Sequence, residues 1–363
     1  MPIALITTYL TPYRVPLFEL LAERHGVEVL CFGGGGRYVS SWLVDLDAQL
    51  AAAPFPARRL GGPREALALG RRYDAVIAPF AGGAILPLSY AGARRYRRGF
   101  VLWASVWSQP RSLAHAIALP ATRHIYRHAD AVVAYGEHAR RFVAGIRGRD
   151  DDVFVAPQSV EPEVFGRAVS AEEIAAFRSR FEIPDGPVVL YVGRLVAEKG
   201  ISVLLEAWRT TGAECGTLVL VGDGPLLGQA QAGPRTCALG SLPRAELPVA
   251  YASCECVVVP SIPTPRFREP WGLVVNEAMH QGRPVIATTT VGAAAGGLVR
   301  DGETGLIVPP GDPAALTDAV QRLLGDAALR ERLGDAARSA VAAYTYEAMA
   351  AAFDRALALA VPD

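Results

Sequence analysis

Pro187-Val-Val-Leu-Tyr-Val-Gly-Arg-Leu-Val-Ala-Glu-Lys-Gly200 is the stretch on which the fold turns. Val188 to Val192 are uniformly apolar, as in a strand covered on both faces of a parallel sheet. Gly193 then opens a loop carrying Arg194 and Lys199, and Ile201-Ser-Val-Leu-Leu-Glu-Ala-Trp208 follows with helical periodicity. In an open α/β sheet, ligands sit beyond the carboxyl ends of the strands, so two cations placed there suit a diphosphate. The loop is not a Walker A element, because it lacks the second glycine and the hydroxyl residue that would meet magnesium.

The same pattern repeats outward in both directions. Downstream, GTLVLVGDGP (216–225), CVVVPS (256–261), PVIATTT (284–290) and GLIVPP (305–310) read as strands, and GLVVNEAMHQG (272–282) as a helix. Upstream, residues 2–8 and 27–32 read as strands around a helix that stops at Gly26. Residues 74–80, 99–104 and 130–136 repeat the strand pattern, with 113–129 helical. The proline- and acid-rich stretch from Asp151 to Gly166 reads as a crossing linker. The alanine-rich tail from Asp312 reads as helical, with Gly334 as a break. The expectation is two tandem doubly wound sheets: residues 1–160, residues 161–345, and a last helix at 346–363.

Composition agrees with this division. The chain has 363 residues, 51% of them hydrophobic, which is enough for two cores. No apolar run approaches the roughly 20 residues of a membrane span, and Arg14 closes the first apolar stretch, so a cytoplasmic protein without a leader is expected. Five scattered cysteines (Cys31, Cys215, Cys237, Cys254 and Cys256) exclude a disulfide framework. Cys254 and Cys256 read as core thiols on one face of a strand. Net charge is zero, yet residues 1–165 hold 19 arginines against 14 acids. Among the 36 basic residues Lys199 is the sole lysine, which marks a position where a compact ammonium is required.

A second segment, Arg268-Glu-Pro-Trp-Gly-Leu-Val-Val-Asn-Glu277, places Glu269 in a loop, Pro270 and Gly272 at a helix entrance, and Glu277 within the helix. Eight residues of helix rise about 12 Å, so the two carboxylates grip different ends of something long. The amides of Gly272, Leu273 and Val274 at the helix start form an anion site between them.

The order GRL…EKG, VGDGP, LGSLPRAELPVAYASCECVVVPS, REPWGLVVNEAM, GRPVIAT and VGAAAGGLVRDGETGLIVPPGD resembles family 4 of the retaining glycosyltransferases, in register over about residues 155–315. The resemblance implies a GT-B fold, two Rossmann-like domains facing across a cleft, with a final helix returning to the N-terminal domain. It implies a nucleotide diphosphate sugar donor, uridine or guanosine, and a hydroxyl acceptor on a glycan, lipid-linked sugar or small molecule. By the same resemblance Gly193, Arg194 and Lys199 hold the diphosphate, Glu269 meets the transferred sugar, Glu277 meets the ribose, and Trp271, Gly272, Leu273 and Val274 complete the donor site. The resemblance further implies transfer by front-side displacement, with no metal and no other cofactor.

The chain departs from the family in Trp271, in Gln158-Ser159 where relatives carry Asn-Gly, and in Thr7-Thr-Tyr-Leu-Thr-Pro-Tyr-Arg14 where many have a glycine-rich loop. The acceptor side therefore rests on Tyr13, Arg14, Trp107 and His115, chosen because they follow strand ends. Asp45 and Asp47 imitate a metal-binding pair of a different glycosyltransferase fold and read as surface acids. Arg94, Arg95, Arg97 and Arg98 around Tyr96 read as a solvated face or, more sharply, as peripheral docking on an anionic membrane. Base-stacking aromatic patterns are missing, which disfavours nucleic acid. The rival readings are a sugar-nucleotide epimerase, a phosphorylase, and a non-catalytic nucleotide-sugar-binding partner subunit. A phosphorylase needs a cofactor lysine, and the single lysine already stands in the diphosphate loop.

Overall fold

A computed structural model describes residues 2–33, 45–80, 83–211 and 216–361. The chain forms two compact units, Met1–Ser159 with Thr345–Asp363, and Val160–Tyr344.

The first unit is a seven-stranded parallel sheet of β1 (Ile3–Thr7), β2 (Val27–Cys31), β3 (Ala57–Arg59), β4 (Ala75–Pro79), β5 (Gly99–Ala104), β6 (Ala131–Ala134) and β7 (Val153–Val155). Its order is β3-β2-β1-β4-β5-β6-β7. The second unit has β8 (Val188–Val192), β9 (Thr217–Val221), β10 (Thr236–Gly240), β11 (Cys256–Val259), β12 (Val285–Thr288) and β13 (Gly305–Val308), in the order β10-β9-β8-β11-β12-β13. Each order reverses beside the unit's first strand, β1 or β8, which is where open α/β sheets place their ligands.

The sequence reading missed β3 and β10, both short or thinly buried, and it misread β7. Val153–Val155 lies inside the supposed linker but pairs with β6 as the sheet's edge. Three residues are too few to show a periodicity against the surrounding prolines and acids. Gly334 is a second correction: it lies inside helix Ala327–Val341. It is small for a packing reason, since a Cβ there would meet Gly282 O at 2.2 Å. The real breaks are at Asp326 and Thr345, whose side chains cap the following helices by accepting from Leu329 N and Ala348 N. Cys254 and Cys256 are buried, but the strand starts at Cys256 and Cys254 sits in the preceding turn. Cys215 lies outside the described residues.

Helices Val15–His25 and Tyr346–Ala360 cover one face of the first sheet. The Trp103 ring packs edge-on to Phe353 at 5.2 Å and to Phe18 at 6.3 Å. Met349, Phe353 and Leu357 of the last helix are buried, each contributing about 1.5–3 kcal/mol. Asp354 fastens the rim of the same helix to Arg24 and His25 at 2.8 and 2.7 Å. No helix among the described residues is long and apolar enough to cross a membrane.

Candidate active site

The loop after β8 is shaped by what crowds it. Gly193 N donates to Val221 O and Leu195 N to Asp223 O, at 2.9 and 2.8 Å, so it is zipped to the loop after β9. A Cβ on Gly222 would lie 1.9 Å from Gly193 O; with φ at +138°, only glycine lets the two loops close. Gly200 ends the loop under the same constraint, with φ at +72° and Pro260 O 2.0 Å from a notional Cβ. The cation-bearing loop is thereby pressed against the carboxyl end of β11.

Lys199 meets Glu269 there. Its Nζ pairs directly with Glu269 Oε2 and stands 5.7 Å from the centre of the Phe267 ring. Ser261 Oγ donates to the same carboxylate oxygen at 3.0 Å. Glu269 is 6% exposed, so the pair is largely out of water and its charges are weakly screened. Ser261 is held in turn by Thr288 and Thr290, whose hydroxyls donate to its carbonyl at 2.6 and 2.9 Å. Arg194 turns to Glu198 at 3.7 Å and is more open, with 39% of its side chain exposed.

Gly272 caps helix Leu273–His280. The amides of its first turn have no acceptor within the helix. A Cβ on Gly272 would lie 3.7 Å from Glu269 Cγ, so the Lys199–Glu269 pair stands at this helix mouth. Trp271 is 3% exposed; its Nε1 donates to Asn276 Oδ1 at 2.7 Å and its ring lies 5.7 Å from that of Tyr344. Its side chain braces the turn from behind, leaving Gly272, Leu273 and Val274 to present backbone.

Glu277 lies further along the same helix, where Tyr251 OH donates to its Oε2 at 2.6 Å. Burial pushes its carboxyl up to about 7, against the pull of Tyr251 and Arg244. Arg244 pairs with Glu161, and its guanidinium lies 5.0 Å from the centre of the Phe165 ring. Ser261 and Tyr251 escaped the sequence reading. Tyr251 is an aromatic residue in an apolar helix, Leu247–Ala252, and nothing in the pattern separates it from core.

The acceptor-side candidates have mixed surroundings. Arg14 is 6% exposed, with its guanidinium 4.7 Å from the Trp103 ring centre and 5.0 Å from that of Tyr135. It donates to Gln158 Oε1 at 2.5 Å, which gives Gln158-Ser159 a structural task. Tyr13 is half-buried and accepts at its carbonyl from Tyr346 OH at 3.0 Å. Trp107 packs edge-on to His138 at 5.1 Å, and His115 Nδ1 lies 2.6 Å from Ser112 Oγ, the cap of its own helix. Asp45 caps helix Leu46–Ala51, and Asp47 pairs with Arg59 at 2.5 Å. Among the described residues no three His, Cys, Asp or Glu gather as a metal cluster.

The sequence model of the family described as glycosyl transferases group 1 matches residues 186–326. Residues 186–326 belong to glycosyl transferases group 1. Alpha-D-kanosaminyltransferase of Streptomyces kanamyceticus is 33% identical over 229 residues, 60% of this chain and 57% of that one. D-inositol 3-phosphate glycosyltransferase of Xylanimonas cellulosilytica is 32% identical over 240 residues, 61% and 55% of the two chains. The chain spans about half the length of these curated relatives. Among solved structures, Anabaena HepE in complex with UDP superposes with a TM-score of 0.80 at 20% identity, over 99% of this chain and 100% of that one. Sucrose-phosphate synthase of Thermosynechococcus elongatus gives 0.72 at 25% identity over 98% of each. The fold of the chain is therefore GT-B, two Rossmann-like parallel-sheet domains.

Proposed function

We propose that the chain is a retaining glycosyltransferase that moves a sugar from a nucleoside diphosphate sugar to a hydroxyl acceptor without a metal ion. The observation that carries this is the Lys199–Glu269 pair at the mouth of helix Leu273–His280, beyond the carboxyl ends of β8 and β11. A cation and free helix amides are what a diphosphate needs, and a carboxylate beside them is what sugar hydroxyls need. Uridine is the favoured base, supported by the UDP and UDP-glucose complexes of HepE. The names of the relatives support a glycan or small-molecule hydroxyl as acceptor.

In the transfer, the bond from sugar C1 to the β-phosphate oxygen breaks and a bond from C1 to the acceptor oxygen forms on the same face. The acceptor proton passes to the departing phosphate oxygen. Negative charge grows on that phosphate, where Lys199, Arg194 and the amides of Gly272, Leu273 and Val274 stabilise it. The donor first displaces the pairing now in place: phosphate takes Lys199, and Glu269 turns to sugar hydroxyls. Glu277 accepts from the ribose, with Tyr251 holding its carboxylate. Tyr13, Trp107 and His115 are assigned to the acceptor side. Arg14 is left to hold that region together, because its guanidinium is enclosed by Trp103, Tyr135 and Gln158.

Calorimetric titration with UDP, GDP, ADP and TDP in chelator tests the reading. One nucleotide is expected to bind, and Lys199→Ala to weaken it. No binding, or metal-dependent binding indifferent to Lys199, overturns this reading of the second unit.

A further inference from the structure

Helix Leu113–His128 follows β5 and differs from every other long helix of its unit in what it leaves uncovered. Leu113 is 79% exposed and Ile117 73% exposed, far above the other large exposed hydrophobic residues among the described ones, Leu67 and Leu359. At 3.6 residues per turn, Leu113, Ile117, Ala121 and His124 fall on one stripe. Ile125 and Tyr126 are buried on the other side, and His115, Leu119 and Thr122 are half-buried there. The outer stripe is apolar for its first two turns and basic after that, with Arg123 and Arg127 exposed beside His124.

The charge around this ridge is of one sign. Between Asp74 and Asp130 the sequence holds no aspartate or glutamate and seven arginines: Arg94, Arg95, Arg97, Arg98, Arg111, Arg123 and Arg127. Arg94 and Arg98 are consumed by Asp130 and Asp74 at the borders of that stretch. Arg95, Arg97, Arg111, Arg123 and Arg127 are exposed, and none of them makes an ion pair among the described residues. Helix Ile85–Arg95 lies alongside, with Tyr90 meeting His124 edge-on at 5.7 Å and Arg94 donating to His128 O at 3.0 Å. Its basic end thus adjoins the basic end of the ridge.

We propose that this face docks on an anionic phospholipid surface, with Leu113 and Ile117 entering the headgroup–acyl boundary and the five exposed arginines meeting lipid phosphates. Two bulky apolar side chains standing in water beside unpaired cations are the complement of such a surface. A protein partner of acidic character would match the arginines but would leave no reason for an apolar tip in an acid-free stretch of this length. The docking element is therefore the helix after β5, and the Arg94–Arg98 run is its flank. The proposal does not depend on the glycosyl-transfer reading.

Flotation of the purified chain with vesicles tests it, using phosphatidylcholine alone and phosphatidylcholine mixed with phosphatidylglycerol. The chain is expected to float with the mixed vesicles and not with phosphatidylcholine, and to be released as salt shortens the screening length. Leu113→Ser with Ile117→Ser is expected to weaken flotation by more than about tenfold. Arg111→Ser with Arg123→Ser should weaken it by roughly fivefold per arginine. Leu359→Ser, an exposed apolar site elsewhere, should change nothing. Thermal unfolding and nucleotide titration of each variant are expected to match the parent, because the altered side chains stand in solvent. Absence of flotation with phosphatidylglycerol, or flotation indifferent to the serine pair, overturns the proposal. So does a dimer in sedimentation that the serine pair dissolves without lipid, since the ridge would then belong to a second copy.

Discussion

Two sheets of the same strand order place a cation just past their first strand, and they treat it in opposite ways. After β1 the cation is Arg14, enclosed by Trp103, Tyr135 and Gln158, with no carboxylate hydrogen-bonded to it among the described residues. After β8 it is Lys199, paired with Glu269 at a helix mouth and with 19% of its side chain exposed. A planar guanidinium lies flat against rings, whereas an ammonium exchanges one anion for another. The topological position permits a ligand site, and the surrounding residues decide whether one is built.

The sharpest way to break this contrast is to remove each cation in turn. Lys199→Ala should cost roughly 10²–10³ in kcat/KM for the nucleotide sugar, the scale of one lost transition-state donor. The thermal midpoint of the second unit should fall too, because Glu269 is left buried without its cation. Arg14→Ala should cost stability alone: a loss of about 2–4 kcal/mol from the cavity and the orphaned Gln158, followed by Trp103 fluorescence during unfolding. Nucleotide affinity in that variant should stay within about twofold of the parent, read in the same calorimeter. If Arg14→Ala weakened nucleotide binding as strongly as Lys199→Ala, the two cations would share one task and the contrast would fail.

Within the second unit, stability and function should also separate. Gly334→Ala forces a methyl onto Gly282 O and should destabilise by about 1–3 kcal/mol in denaturant melts. Its donor KM should be unaltered. Titration supplies the smallest effect. Glu277 is neutral in the unliganded protein below about 7, and its raised folded value means the unfolded chain releases that proton first. Stability contributed by this group is therefore lost as pH rises from the ordinary carboxylate range through about 7. Donor binding runs the other way, since ribose hydroxyls donate to the ionised form. Affinity for a nucleotide sugar should fall by up to roughly tenfold for the first pH unit below that midpoint. Glu277→Gln should flatten both profiles, and a wild-type affinity flat with pH would remove Glu277 from the ribose.

Much of this was legible because it is written in runs. Long apolar strands, the sole lysine and the Glu269–Glu277 spacing are local signals, and each survives in the folded chain where the sequence places it. What failed depends on partners far along the chain. Val153–Val155 is a strand only because β6 offers it an edge. Gly334 is a packing glycine only because Gly282 O approaches it. Tyr251 matters only through Glu277, 26 residues away. Arg14 is enclosed by residues more than 80 positions downstream in sequence, among them Gln158 at a separation of 144, so no window of sequence reports its burial.

The last helix has a consequence for how the chain is made. Thr345–Asp363 leaves the ribosome after all of the second unit, yet Phe353 and Met349 complete the core that Phe18 and Trp103 began. During synthesis one face of the first sheet waits covered by Val15–His25 but not by the last helix while the second unit emerges whole and folds. Order of folding is thus the reverse of order of translation for the final step, and a nascent chain stalled near Tyr344 should bind holding chaperones through its N-terminal half.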